Sequence, residues 1–205
     1  MPTGTISQNA SVGGLSIQST VTRTASSQIG HESNPQLPAA KAGTLSTRTD
    51  DNTGVITLAA GHGLEMGDVV DVYWSGSGNY RYGMDVTAVD GNDVTVDGGA
   101  GAALPAQDTA VTVGEQVTID TDFDGDLVKM IVACSTYRGH IALRDATPTV
   151  LKEVELPAGE SWAWVADQGI ANPLAGNPVN DIKASNGDSS GPATLRIGVL
   201  YDGQS

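Results

Sequence analysis

The chain has little of several residue types that common functional classes require. A single cysteine, Cys134, among 205 residues excludes an internal disulfide and any Cys-rich zinc motif. It ends the apolar stretch Leu127–Cys134, where a small buried residue is expected rather than a reactive thiol. Aromatic residues make up 4% of the chain, with one Phe, so Val, Ile, Leu and Ala must fill the core. No apolar run approaches the length of a membrane span and the N-terminus shows no signal-peptide pattern, so we expect neither membrane insertion nor secretion.

Basic residues are also scarce. Ten Lys and Arg stand against 24 Asp and Glu, which gives a net charge of −14. Residues 1–49 carry Arg23, Lys41 and Arg48 against Glu32 alone, a charge of +2, which leaves −16 for residues 50–205. So acidic a body is not expected to bind nucleic acid directly, because such binding needs clustered Lys and Arg. A weakly basic arm on an acidic body predicts that the arm lies across a neighbouring copy in a homo-oligomer.

What the chain does contain is typical of an all-β protein. It has 26 glycines, many Thr and Val, and no long run of helix formers, which predicts short strands joined by tight turns. The stretch Gly61–Trp74 illustrates this, since three glycines lead into alternating residues that predict a strand with one wetter face at Asp71 and Tyr73.

The pattern divides the chain into three segments. Residues 1–42 are rich in Ser and Thr and predict an extended N-terminal arm and linker. Within them Leu15–Thr22 predicts one strand without a partner nearby, which the sheet edge of another subunit could order.

Residues 43–115 predict a small β-barrel-like module. Gly54–Leu58 is its first strand, Ser75–Asn79 a flexible tip, and Asp90–Asp93 a hairpin turn. Residues 116–205 predict a β-sandwich-like or jelly-roll-like module. Its expected strands are Val117–Ile119, Leu127–Ala133, His140–Leu143, Val150–Leu156, Ser161–Val165, Val179–Ala184 and Thr194–Tyr201.

An acidic run offers a weak metal site. Asp120, Asp122 and Asp124 alternate before Gly125, as in the opening of a calcium loop. The twelfth position is Ile131 instead of a bidentate Glu, so a solvated acidic turn is the favoured interpretation and calcium the alternative. No other cofactor is expected.

The segment Gly187–Pro192 resembles the Gly-Asp-Ser-Gly-Gly-Pro nucleophile segment of chymotrypsin-like proteases, with His62 earlier in the chain. Ser190 stands where the protease pattern has Gly after its nucleophile, here Ser189. A polar turn between strands is therefore the favoured interpretation, and the serine hydrolase a remote alternative.

Seven aromatic residues could stack sugars if they lay exposed at loop tips. Burial in the core or at an interface is the favoured alternative, because one end of Trp or Tyr tolerates water. These residues are Tyr73, Trp74, Tyr80, Tyr82, Tyr137, Trp162 and Trp164.

The motif of a Val-Ile-Thr-Leu strand, a His-Gly-Leu loop, Gly-Asp-Val-Val and a closing Val-Thr-Val resembles a small β module of tailed-bacteriophage virion proteins. It covers about a third of the chain. The resemblance implies a structural, non-enzymatic virion protein, assembled in the host cytoplasm, most simply a capsid decoration or cement protein. Its partners would be other copies and the major capsid protein. A carbohydrate-binding tail or fibre protein is the alternative.

Overall fold

The computed structural model describes residues 3–12, 15–24, 28–147, 149–165, 171–176 and 178–202. The described chain is all-β, which confirms the predicted fold class. Its seventeen strands form a two-stranded ribbon, a closed barrel and two further sheets. The only helical element in these ranges is the 3₁₀ turn Gly125–Leu127, and no helix there is long and apolar enough to cross a bilayer.

The N-terminal ribbon consists of β1 (Thr3–Val12) and β2 (Leu15–Thr24), which pair antiparallel in continuous register from Thr3–Thr24 to Val12–Leu15. The prediction that Leu15–Thr22 lacks a partner nearby is therefore wrong. A partner was missed because β1 carries only a weak alternating pattern. Parts of the predicted arm, at residues 1–2, 13–14 and 25–27, lie outside the described residues.

Six strands close the barrel, in the order β10 (Ala110–Glu115), β5 (Lys41–Arg48), β6 (Gly54–Leu58), β9 (Asp93–Gly101), β8 (Tyr80–Asp90) and β7 (Val69–Tyr73). Val, Ile and Leu at alternate positions fill its interior because successive strand residues point to opposite faces. The predicted hairpin turn is confirmed between β8 and β9, with Gly91 at φ 64°.

Two sheets packed around one core form the sandwich. The first sheet has the order β11 (Val117–Asp124), β16 (Pro178–Asn186), β13 (Gly139–Arg144) and β14 (Val150–Leu156). The second has the order β15 (Ser161–Val165), β12 (Val128–Ser135), β17 (Ala193–Asp202) and β3 (Gln28–Ser33), and β4 (Gln36–Leu37) also pairs with β17.

Residues 28–37 thus belong to the sandwich sheet, although their composition predicts part of the arm. Ser33 pairs with Ile197, and Leu37 pairs with Ala193 and is buried in the sandwich core. Among the described strands, only the two of the ribbon join neither the barrel nor the sandwich sheets.

Candidate functional site: the junction of barrel and sandwich

The most concentrated polar chemistry of the described chain lies where barrel strand β7 meets sandwich strands β13 and β16. Val70 and Val72 point into the barrel, whereas Asp71 and Tyr73 point outward and are covered by the sandwich. Asp71 is 0% exposed and Tyr73 is 1% exposed, so the predicted wetter face of this strand is wrong. The face is polar because it carries a buried network, and water does not reach it.

Asp71 is the centre of this network. Its Oδ1 accepts hydrogen bonds from the backbone N–H of Gly83 at 2.8 Å and from Gln116 Nε2 at 2.7 Å. Its Oδ2 accepts from the Ser185 hydroxyl of the sandwich, and the Tyr73 hydroxyl lies 2.5 Å from the same Ser185 oxygen. A buried carboxylate is tolerated only when it is paired in this way. The bonds therefore tie the two modules together.

His140 completes the buried group from the sandwich side. It is 0% exposed, and its Nδ1 lies 3.3 Å from Asp71 Oδ2, within ion-pair distance but without hydrogen-bond geometry. Its ring stacks on Tyr82, with centroids 4.6 Å apart at 23°, and lies 5.5 Å from the ring of Tyr80. The imidazole is thus enclosed between a carboxylate and two aromatic rings.

The three tyrosines of the junction stay protonated over the ordinary pH range. Burial, reinforced by the Asp71 charge, raises the pKa of Tyr73 well above its ordinary value. Burial, with nearby Glu153 and Glu155, raises the pKa of Tyr80 to about 12. Burial and a hydrogen bond to Glu153 raise the pKa of Tyr82 still further. These hydroxyls therefore act as neutral donors and not as bases.

A second set of hydrogen bonds, centred on Arg138, also joins the sandwich to the barrel. The Arg138 guanidinium donates to Glu155 Oε1 at 2.7 Å within the sandwich and to the carbonyls of Trp74 at 2.8 Å and Asn79 at 3.1 Å in the barrel. Glu155 Oε2 accepts from the N–H of Gly78 at 2.8 Å. The segment Ser75–Asn79, predicted as a flexible tip, is therefore hydrogen-bonded to two sandwich residues, Arg138 and Glu155.

Asp71, His140 and Ser185 are the residue types of a catalytic triad, but they are not arranged as one. In a triad the imidazole bonds the nucleophile and the carboxylate orients the imidazole. Here Ser185 donates directly to Asp71, and His140 approaches the same carboxylate oxygen. All three residues are 0% exposed. The arrangement favours fixing two modules over attacking a substrate.

The two residues of the remote hydrolase alternative, His62 and Ser189, do not belong to this network. His62 accepts from the N–H of Leu64 at Nδ1, 3.1 Å away, and its Nε2 lies 3.1 Å from the Gly91 carbonyl at one end of the barrel. Ser189 is exposed in the turn after β16. That turn contacts the barrel, because Thr112 Oγ1 donates to the Gly187 carbonyl at 2.7 Å. Its geometry fits the polar turn that the sequence favours.

The acidic run with Asp120, Asp122 and Asp124 lies on strand β11, so the acidic turn that the sequence favours is wrong. Asp120 and Asp124 are exposed on β11, where Asp120 pairs with Asp181 of β16. Asp122 lies between them at a register irregularity. Asp124 accepts from the N–H of Asp126 at 2.9 Å and caps the 3₁₀ turn. In the described residues no group of three His, Cys, Asp or Glu is placed to hold a metal ion.

The aromatic residues pack in cores or at the junction. Trp164 is buried in the sandwich, with Trp162 and Tyr137 against the same core. Trp74 packs against the barrel core, and Tyr73, Tyr80 and Tyr82 line the junction.

The sequence did not identify His140, Ser185 or Gln116 as junction residues. The signals available were a His in the otherwise apolar strand Gly139–Leu143 and a Gln at the boundary of the modules.

Comparisons with known proteins add little to this description. No protein-family model and no curated protein matches the chain. A solved structure of infectious bursal disease virus, Gx strain, aligns with 87% of this chain and 72% of that chain, at 11% sequence identity and a TM-score of 0.23. A TM-score this low carries no argument about fold or function.

Proposed function

We propose that this protein is a structural component of a tailed-phage virion, a capsid decoration or cement protein that binds neighbouring copies and the shell through its β1–β2 ribbon. The observation that carries the proposal is the ribbon itself. Its two ten-residue strands pair with each other and, in the part of the chain described, join no other sheet. An isolated two-stranded hairpin is marginally stable in water, so the ribbon needs a further surface.

The register of the ribbon groups its residues by type. Alternate pairs consist only of hydroxyl and amide residues, namely Thr3–Thr24, Thr5–Thr22, Ser7–Thr20, Asn9–Gln18 and Ser11–Ser16. The pairs between them contain the apolar residues, namely Gly4–Arg23, Ile6–Val21, Gln8–Ser19, Ala10–Ile17 and Val12–Leu15. Apolar burial is the main favourable term in association, so these apolar pairs are the part of the ribbon that a partner would stabilise.

The body supports a scaffolding role. The barrel has no free edge strands, and the junction network joins it to the sandwich. The conspicuous cluster of reactive residue types, at Asp71, His140 and Ser185, is buried and engaged in joining the modules. The ribbon carries Arg23 and no acidic residue, so its charge is opposite in sign to that of the acidic body, which favours contact between the ribbon of one copy and the body of the next.

Removal of the ribbon tests the proposal. Deletion of residues 1–24 should leave a folded monomer that no longer sediments as an oligomer or rebinds phage particles stripped of it. The matched point variants are Ile17→Asp in the apolar pair with Ala10 and Gln18→Asp in the polar pair with Asn9, which add the same charge at adjacent positions. We expect Ile17→Asp to abolish assembly and Gln18→Asp to retain it. Equal assembly by both, or by the deletion variant, would contradict the proposal.

The position in the virion needs a separate measurement. Cryo-electron microscopy of purified particles should show density for this chain on the head. Density on the tail or fibres would instead support the adhesion alternative. Absence from particles would reject both virion functions.

A further inference from the structure

One open edge of the sandwich, at β15 (Ser161–Val165), differs from the other open edges in having no charged residue. We propose that strand β1 of one copy adds to this edge in the next copy and extends its sheet. The inference rests on the proposed function, since it identifies the surface that the ribbon binds.

The other three edge strands of the sandwich sheets are protected against such pairing. Charged side chains, bulges and covering segments guard free edges, because unpaired N–H and C=O groups otherwise pair with other chains. β11 carries three aspartates and an irregular register between Asp120 and Phe123. β14 carries three charged residues, and Glu155 among them bonds Gly78 of the barrel. β3 carries Glu32.

β15 has none of these protecting features. Its five residues, Ser-Trp-Ala-Trp-Val, contain no Pro and pair with β12 in unbroken register. In the part of the chain that the structure describes, no strand pairs with its other side. Trp164 is buried and Trp162 packs against the sandwich core, whereas Ser161 and Ala163 are exposed. Side chains this small leave the backbone of the edge accessible to another strand.

Strand β1 has the properties that such an edge requires of its partner. Its ten residues, Thr3–Val12, include no charged residue and no Pro, and its register with β2 is unbroken. β2 carries Arg23, the one charged residue of the ribbon strands, so its own edge is the less suitable of the two. Residues 116–205 carry twelve Asp and Glu against six Lys and Arg, so the ribbon approaches a module of opposite net charge.

The sheet order favours the neighbouring copy as the source of the edge. β15 and β3 lie at opposite edges of one sheet, in the order β15–β12–β17–β3, and the ribbon precedes β3 by three residues. To reach its own β15, the ribbon would have to cross three strand spacings, roughly 14 Å. The β15 of a second copy needs no such crossing. The contact is therefore head-to-tail, and it links successive copies into a ring or a chain.

Cysteine trapping in the full-length chain tests the pairing. A Cys134→Ser, Ala163→Cys protein is mixed with Cys134→Ser proteins that carry one cysteine at each β1 position in turn, and an affinity tag on one partner isolates the mixed disulfide. We expect trapping at alternate β1 positions, because alternate residues of a strand point to one face. Val150→Cys is the matched control, since Val150 is 42% exposed on edge strand β14, and we expect it to trap no β1 position.

Hydrogen exchange of the wild-type chain, at concentrations above and below its assembly midpoint, gives a second readout without any substitution. We expect the amides of residues 161–165 to exchange at least about tenfold more slowly in the oligomer, and those of residues 117–124 to be unchanged.

The outcomes separate this inference from the proposed function. An oligomer that protects β11 or β14, or that traps Val150→Cys instead of Ala163→Cys, would overturn the β15 edge alone. Trapping at consecutive β1 positions would indicate random collision and would overturn strand pairing. A full-length chain that forms no oligomer would overturn both proposals.

Discussion

The Arg138 guanidinium of the sandwich lies over the ring of Tyr73 of the barrel, with its central carbon 5.2 Å from the ring centroid. The same side chain bonds one carboxylate of its own module and two backbone carbonyls of the other. Only the planar, multi-donor head of Arg makes all of these contacts at once.

Replacement of Arg138 by Lys should therefore destabilise the protein. An ammonium group cannot reach Glu155, Trp74 and Asn79 together, so at least one partly buried acceptor loses its partner, and we expect the free energy of unfolding to fall by about 2 kcal/mol. Arg144→Lys is the matched control, since Arg144 bonds only Asp181 within the sandwich, and we expect about 1 kcal/mol or less. Urea denaturation of both variants measures the difference. Equal losses of unfolding free energy in the two variants would mean that the bonds of Arg138 across the junction add no stability beyond that of an ion pair within one module.

A steric prediction concerns Gly114, the penultimate residue of β10. A Cβ at this position would lie 2.2 Å from the carbonyl oxygen of Asn186, so the barrel and the end of β16 approach backbone to backbone. Gly114→Ala must separate them, and we expect a loss of about 3 kcal/mol.

Gly191→Ala provides the control for that prediction, because its nearest neighbour would be the Tyr137 hydroxyl at an ordinary 3.7 Å. We expect a change within about 0.5 kcal/mol. Thermal and urea denaturation check both variants. A Gly114→Ala protein as stable as Gly191→Ala would show that the close approach is not required.

The calcium prediction rests on the position of the acidic run on strand β11. Because Asp120, Asp122 and Asp124 are spread along a strand, calcium should leave the melting temperature nearly unchanged. Specific binding would add about 2.7 kcal/mol at a hundredfold excess over the dissociation constant. Differential scanning fluorimetry with calcium and with magnesium measures this. A large calcium-specific shift that disappears in Asp122→Ala would establish the site after all.

The fold class and most body strands could be predicted from the sequence because local alternation determines them. Val94 and Val96 are buried around Thr95, and the Asp-Gly turn before them has the positive φ expected of it. Residues 28–37 could not be assigned in this way. Their strand character comes from pairing with β17 near the other end of the chain, and no local pattern records that.

The junction was unpredictable for a related reason. Alternation shows that Asp71 and Tyr73 share a face, but it cannot show whether water or another module covers that face. The partners His140 and Ser185 follow far along the chain, in the mostly apolar strand β13 and the mixed polar and apolar strand β16, and no local pattern marks either residue as a partner of Asp71. The sequence shows that Asp71, His140 and Ser185 are polar residues, but only the tertiary contacts show that they form one buried network.

The pairing of β3 with β17 also sets an order of events during synthesis on the ribosome. The barrel strands lie between Lys41 and Glu115 and pair only among themselves in the described ladders, so the barrel can close while the sandwich is still being translated. β3 emerges before the barrel, yet its partner β17 is translated after the barrel and after the other sandwich strands. Until β17 is made, β3 lacks the strand with which it pairs in the described ladders, and the ribbon before it is joined to no sheet of the body. Copies translated side by side on one messenger could therefore meet through these segments before either sandwich is complete.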